Sequence, residues 1–592
     1  PYGAARNITL PGDGKGTPWE AALVNDLFGF QQAMLSEGAV VPSGTPEKAT
    51  ASQYLDALGL VANRSFNTLA GLTAANLLPN TRVVTKGRAT VGDGGGSEYL
   101  IKTAAQAALD GDVIDGLGSH TINNGNVAII QEHGRWVSFL EWGMVGDGAA
   151  LDSPALVSMY ANSKSRFFYS PPGKIYSHDG RSIIVPEGSH TYLGDAVMQL
   201  RAGSYSSNLF FFKNSDNINY SGAIPRQRGF YFYGGVIDGN ESNVTMTAAS
   251  TNAFWFHQCD GVQVDTPKII DLPGDTGGQA AIVFRFSNDC DVINPEINNV
   301  DRQGVQYWES KGKTRGGFIG LSRFREPVLV SSENVPSFQG ANAEIEQVRM
   351  DNRGTTSGTH VVRFSGESSG HAKHCDIQGE AGLQGVYITF GLEHNITVED
   401  NDIRDCDYGV EVDTTGPKNV HLENNRYHDC NDGLRWVAGG TDASVTSLHE
   451  KFYDTVNRPI NIDFATNVKV EGAFIRGGAS NVFINNYESL SFNDNTIKGM
   501  TSASQSINLG AATGTTIASV IGNKLNGNTA NVIGSDENVF ARDNDLDNFI
   551  GSGIKLGRIG RSYVWSDSVG VLRINTALPA NDTDGTVVGT QT

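Results

Sequence analysis

The chain lacks the residues on which several simpler readings would depend. Its 592 residues hold five cysteines: Cys259, Cys290, Cys375, Cys406 and Cys430. An odd and sparse set is no disulfide framework, and no CxxC or His-rich spacing points to zinc. Nowhere do 18 apolar residues run together, so no transmembrane helix is expected. Pro1-Tyr2-Gly3 shows neither the basic nor the apolar stretch of a leader peptide. Positive charge is short: Lys and Arg number 44 against 64 Asp and Glu, a net charge of −20. That balance argues against nucleic acid or an anionic membrane as a partner. The glycine run from Gly92 to Ser97 is not followed by a GK[ST] step, so it is no phosphate loop. No metal and no cofactor are expected. What is plentiful is glycine, 71 of 592 residues or about 12 per cent, against a usual share of about 7. This suits an all-β chain with many turns.

The most informative stretch is Asn395 to Gly440, which contains one motif twice. Asn395-Ile-Thr-Val-Glu-Asp-Asn-Asp-Ile-Arg-Asp-Cys aligns with Asn419-Val-His-Leu-Glu-Asn-Asn-Arg-Tyr-His-Asp-Cys at an offset of 24. A period of this length signals a solenoid, a propeller or a stacked array. Within it Ile396 and Val398 alternate with polar residues, as do Val410 and Val412. These are short strands, each apolar on one face. Two or three strands fill 24 residues and leave no room for a helix. The repeat reads as one rung of a right-handed, single-stranded parallel β-helix. Apolar residues recur at Ile403, Tyr427, Phe452, Phe474, Ile497, Leu525 and Leu546. Asn401, Asn425, Asn495, Asn523 and Asn544 precede them at one turn position, where stacked amides can bond along the axis. Cys406 and Cys430, again 24 apart, should lie on neighbouring rungs. They read as small apolar side chains in a turn column.

In chain order, residues 1–80 form a helical adaptor. Trp19, Leu23, Leu27, Phe30 and Met34 make one helical stripe, and Thr50 to Asn63 is a second helical candidate. Such stripes need a partner: each other, or copies from further subunits. Residues 81–134 read as a small β-rich domain with strands at Val83-Val84, Tyr99 to Ile101 and Val127 to Ile130. The β-helix is expected over 135–560. A short β cap covers 561–592, with a terminal strand at Val569 to Asn575 protecting the last edge.

Three segments then appear in order: Trp142-Gly-Met-Val-Gly-Asp-Gly-Ala-Ala-Leu-Asp-Ser, Phe168-Tyr-Ser-Pro-Pro-Gly-Lys-Ile-Tyr and Gly234-Gly-Val-Ile-Asp-Gly-Asn. The set resembles the pectate-lyase-like right-handed β-helices and, more narrowly, bacteriophage tailspikes. The resemblance covers about 135–560. It implies a homotrimer in the virion tail, joined to the tail or baseplate through its N-terminal region and assembled in the host cytoplasm. It also implies a bacterial surface polysaccharide, O-antigen or capsule, as the partner. The implied activity is depolymerisation, with hydrolysis first. The alternatives are β-elimination of a uronic-acid-containing glycan and a receptor-binding spike without catalysis, since one scaffold carries many functions. Within these segments Asp147 and Asp152 are expected to cap turns rather than to catalyse. Asp238 has the same two readings, a turn residue first, with a place near the groove as the alternative the resemblance implies.

One strand per rung can be aligned by its apolar residues, from Phe254 through Ile282, Val305, Val361, Val386, Val410, Leu434 and Ile460 to Val482. The outward residues then mix aromatics, arginines and carboxylates. His257, Arg285, Trp308, Arg363, Tyr387, Arg435 and Asn461 are the expected sugar-binding residues. Glu411, Asp413 and Asp463 are the expected catalytic carboxylates. Two residues along a strand span roughly 6.5–7 Å and two rungs roughly 9–10 Å. Both suit inverting hydrolysis. Arg435 is expected to keep one carboxylate ionised. A rival pair, Glu399 and Glu423, should stack on adjacent rungs of another face beside His421, with one carboxyl raised in pKa by the other. A solvated face of mixed charge is the bland reading of either set. A lyase would instead draw on Arg363, Arg435, Tyr387 and His257.

Overall fold

A computed structural model describes residues 21–37, 52–54 and 64–546, and the strands between 555 and 590. Within 64–546 the exceptions are 133, 216–224, 248–250, 275–279, 302, 321, 323–326, 332–340, 355–359, 367, 390–394, 414–418, 438–442, 502–505, 511–517, 530–532, 536–538 and 543. The chain forms two compact units, residues 1–146 with 154–171 and residues 147–153 with 172–592.

The first unit holds the helix Ala21–Glu37 and a five-stranded sheet. The sheet runs Ser65–Phe66, Arg82–Thr85, Glu98–Lys102, Val127–Ile130 and Ser119–Thr121 in spatial order. All three strands expected from the sequence are present. Leu23, Leu27 and Phe30 of the helical stripe are exposed, whereas Leu35 is buried. Met34 is half-buried, and Trp19 lies outside the described residues. The second helical candidate lies largely outside those residues.

The second unit is a right-handed parallel β-solenoid of about 12 turns. Each full rung supplies three strands. One face is a 14-stranded parallel sheet from Ile183–Ile184 to Ile533–Ser535. The repeat region shows why 24 residues make one lap. Asn395–Glu399, Asp402–Arg404 and Tyr408–Asp413 lie in register on Asn419–Glu423, Arg426–His428 and Asp432–Trp436. Glu399 pairs with Glu423. Inward Ile, Val, Leu and aromatic residues stack along the axis and exclude water, as in Tyr427 on Phe452 with centroids 4.6 Å apart.

The corners explain the Asx-rich motif. Asp400, Asn424, His449 and Asp494 have positive φ, as do Asp405, Asp429 and Asp454 at the next corner. Asp and Asn tolerate this conformation better than most residues. After the first corner the expected amide ladder forms. The Asn401 Nδ2 donates to Asn425 Oδ1 at 2.9 Å, Asn495 Nδ2 to Asn523 Oδ1 at 2.9 Å, and Asn523 Nδ2 to Asn544 Oδ1 at 2.9 Å. Each side chain also takes a backbone N–H, as Asn425 takes that of Asn401. Glu450 and Ala473 fill the two rungs without asparagine. The Glu450 carboxyl accepts from Asn425 N and Nδ2 at 3.2 Å.

The structure corrects the sequence reading in two places. Ile475, not Phe474, stacks on Phe452 inside the coil, and Phe474 stands beside Lys451. The alignment also missed a rung: Val328–Ser331 lies between Val305–Trp308 and His360–Ser365. All five cysteines are buried free thiols. Asp147 accepts the N–H groups of Ala149 and Ala150 and serves a local turn, whereas buried Asp152 accepts the N–H of Ser177 in the strand Ile175–His178 and ties two segments of the coil together. Beyond Asp545–Leu546 the solenoid gives way to an antiparallel sheet of Lys555–Ile559, Ser562–Ser566, Val571–Asn575 and Thr586–Thr590. The expected terminal strand is its third.

Candidate active site

The outward positions of the 14-stranded face fall into columns fixed by register. One column runs Arg363, Tyr387, Glu411, Arg435 and Asn461. The next runs Ser365, Thr389 and Asp413. A third, which the sequence reading missed, runs His360, Gln384, Tyr408 and Asp432. It exists because two successive residues turn inward on each of these strands. Val361 and Val362 do so on the first, and Gly409 and Val410 on the third. Residues three apart, such as Tyr408 and Glu411, therefore share the outer face. Glycine is required at the bend: a Cβ on Gly409 would sit 2.4 Å from the Tyr427 ring and 2.6 Å from the Gly433 carbonyl. Gly385 and Gly433 repeat the position. The signal was legible as Gln-Gly, Tyr-Gly and Asp-Gly at offsets of 24.

Glu411 is the centre of the face. It points outward yet is only 3 % exposed. Tyr387 and Arg435 flank it on adjacent rungs, and Tyr408 precedes it by three residues. Arg435 Nη1 donates to Glu411 Oε1, and the same guanidinium lies 4.3 Å over the Tyr408 ring. Burial pushes the Glu411 carboxyl up to about 7, Arg435 opposes this, and the Asp413 charge adds to it. Arg435 thus touches Glu411, but desolvation outweighs it, contrary to the expectation that it would hold a carboxylate ionised. Asp413 is exposed, and Tyr387 Oη donates to its Oδ2 at 3.2 Å. His360 stacks on Tyr387 at 4.0 Å, with Nδ1 2.7 Å from Gln384 Oε1.

Glu411 and Asp413 are two residues apart on one strand, about 6.7 Å along the backbone. Asp463 is two rungs beyond Asp413 and displaced from Glu411 in both directions, about 12 Å by register. Its Oδ1 receives both Asn485 and Asn486. Of the two, Asp413 is therefore the nearer carboxylate to Glu411. Asn461 donates to buried Asp432 at 3.1 Å.

The upstream end differs from the expected open strip. His257 is 1 % and Arg285 8 % exposed. Burial, then Arg285, lowers the His257 imidazole to about 4. Arg285 lies 4.0 Å over the Trp308 ring. Trp255 packs with Phe210, Ala280 and Val283. His257 is five rungs from Tyr387, about 24 Å. It stands apart from the cluster around Glu411.

The rival pair does stack, but its electrostatics differ from expectation. Lys373 bonds Glu399 at 2.9 Å and His371 lies 3.2 Å from it. Lys373, ahead of other causes, lowers the Glu399 carboxyl rather than raising it. Glu423 lies 3.1 Å from His421. This face is an ion-paired surface. Among the described residues no group of three His, Cys, Asp or Glu side chains could hold a metal. Asp238 accepts from Gln199 and from the Asn240 backbone.

Residues 328–475 match the family described as a right handed beta helix region. No curated protein matches the chain. The surface adhesin PfbA of Streptococcus pneumoniae is similar in structure, with 12 % identity, 76 % of this chain and all of that chain covered, and a TM-score of 0.36. The enzymatically active domain of tailspike protein 2 from bacteriophage CBA120 shows 10 % identity over 72 % of this chain and 60 % of its own, at 0.41. A family 28 exopolygalacturonase of Yersinia enterocolitica shows 11 % identity over 81 % of this chain and 85 % of its own, at 0.32.

Proposed function

We propose that this chain cleaves glycosidic bonds of a bacterial surface polysaccharide, O-antigen or capsule, as a phage tailspike acting in a homotrimer. The observation that carries the reading is Glu411: an outward carboxyl, buried and held near pKa 7, about 6.7 Å along the strand from exposed Asp413. A carboxyl with that pKa is protonated often enough at neutral pH to act as a general acid, and its near-matched pKa favours proton transfer. A second carboxylate at this spacing leaves room for a water between them, as inversion requires. Glu411 protonates the leaving oxygen. Asp413, oriented by Tyr387, takes a proton from the attacking water. Tyr387 and Tyr408 offer ring faces to sugar C–H surfaces. The three opening motifs of the sequence supply the phage setting.

The test is to incubate the full chain with a panel of bacterial surface polysaccharides and follow their size by gel filtration. Shortened glycan with new reducing ends is expected. Shortened glycan with an ultraviolet-absorbing unsaturated end marks a lyase, and binding without shortening marks a receptor-binding spike. Either outcome overturns the hydrolytic assignment. The hydrolytic rate should fall as pH rises through about 7, because Glu411 then loses the proton it must donate.

A further inference from the structure

Three guanidiniums lie around Glu411: Arg363 two rungs before it, Arg435 one rung after it and Arg458 two rungs after it. Arg435 is spent on Glu411. Arg458 behaves differently. It continues the column of Gln384, Tyr408 and Asp432, since its carbonyl receives the Gly433 N–H. The neighbouring acid is Asp432, which is buried and well placed to pair with it. Yet Asp432 turns elsewhere. Its Oδ1 takes Asn457 Nδ2 at 2.8 Å and the backbone N–H of Arg458 at 3.0 Å, and its Oδ2 takes Asn461 Nδ2 at 3.1 Å.

The Arg458 guanidinium is instead held by neutral groups. It lies 4.7 Å over the Phe483 ring, and its Nη1 donates to Asn461 Oδ1 at 3.2 Å. Its Nε is buried without a hydrogen-bond partner. No acidic side chain lies within ion-pair distance of it among the described residues. A half-buried cation locked against an aromatic ring, with its nearest carboxylate saturated by other donors, is a costly arrangement in the free protein. It becomes favourable when an anion fills the fork, because a planar guanidinium matches carboxylate or phosphate oxygens in pairs.

We infer that Arg458 is an anion-reading residue of this groove, and that the polysaccharide it takes carries a carboxylate or a phosphate on a sugar near the scissile bond. This rests on the proposed groove around Glu411 and names its substrate class. Phe483 and Asn461 are the positioning residues of the subsite, and Arg458 makes the contact.

The experiment uses the full chain and three classes of bacterial polysaccharide: uronate-bearing, phosphate-bearing and neutral. Retention in affinity electrophoresis is measured alongside cleavage. Retention by an acidic polysaccharide is expected to weaken about tenfold to a hundredfold in Arg458→Gln. It should recover in part in Arg458→Lys, which keeps the charge and loses the fork. For a uronate-bearing ligand, chemical reduction of its carboxyls should erase the difference between wild type and Arg458→Gln. A preference for the phosphate-bearing class identifies phosphate as the anion. Equal retention of neutral and acidic glycans, or an unchanged Arg458→Gln protein, overturns the inference while leaving cleavage at Glu411 standing. Arg458-dependent retention with no glycan shortened supports the inference and defeats the cleavage reading.

Discussion

Glu450 sits in an asparagine position of the corner ladder and should make the solenoid sensitive to pH. Its side chain is fully buried, takes part in no ion pair among the described residues, and its oxygens accept from Asn425 N and Nδ2. Burial raises the carboxyl from 4.5 to about 8. The folded state thus keeps a proton that the unfolded state has lost over this interval. Stability from this group is complete below about pH 4.5 and declines as pH rises to about 8. A shift of 8 − 4.5 = 3.5 units at about 1.4 kcal/mol each corresponds to about 5 kcal/mol across the window. Glu450→Gln keeps the acceptor and the length and removes the ionisation. The two proteins should melt together near pH 4.5. At pH 8 the variant should melt higher by on the order of 5 °C, followed by intrinsic fluorescence on heating. Melting curves that stay parallel across this pH range would refute the reasoning, because they would mean that Glu450 ionises in the folded protein as easily as in the unfolded chain.

Further outcomes follow from particular contacts. Asn425→Ala removes the acceptor for Asn401 N and Nδ2 and the donor to Val398 O. It should cost about 3–5 kcal/mol in denaturant unfolding, because several buried groups lose partners at about 1–3 kcal/mol each. Gly409→Ala forces a Cβ against Tyr427 and the Gly433 carbonyl, and should lower the melting temperature through about 1–3 kcal/mol of overpacking. Glu399→Gln breaks only a partly exposed ion pair, so cleavage and stability should stay close to wild type. A large loss of cleavage there would restore the rival pair. Proton NMR of the first product should show an inverted anomeric centre, and retention would contradict the Glu411–Asp413 spacing.

How much was legible in the sequence depends on which residues repeat. The 24-residue offset between Asn395 and Asn419 contains both corners and all three strands of a rung, so the coil and the stacking of Glu399 on Glu423 could be read directly. Asn401, Asn425, Asn495, Asn523 and Asn544 were readable because an amide there can both donate to and accept from its neighbours, so the type recurs on most rungs, with Glu450 and Ala473 as the exceptions. The rung at Val328 lies a regular 23 residues after Val305 but 34 residues before its next partner, Val362, and that long second step hid it. Strict alternation placed Glu411 and Asp413 on the outer face correctly but hid Tyr408, Gln384, His360 and Asp432. The paired inward residues at Gly409-Val410 and Val361-Val362 break the two-residue period there. Burial was the least legible property: neither the closed surroundings of His257 nor the desolvation of Glu411 follows from strand direction. Both depend on side chains from other rungs.

The most direct measurement compares cleavage rates of wild type, Glu411→Gln and Asp413→Asn on one susceptible polysaccharide, with glycan retention measured in parallel. The expected result is a loss of at least about a hundredfold in rate for each variant, with retention within a few-fold of wild type. Variants that cut at the wild-type rate would contradict the assignment of Glu411 as the proton donor and Asp413 as its partner.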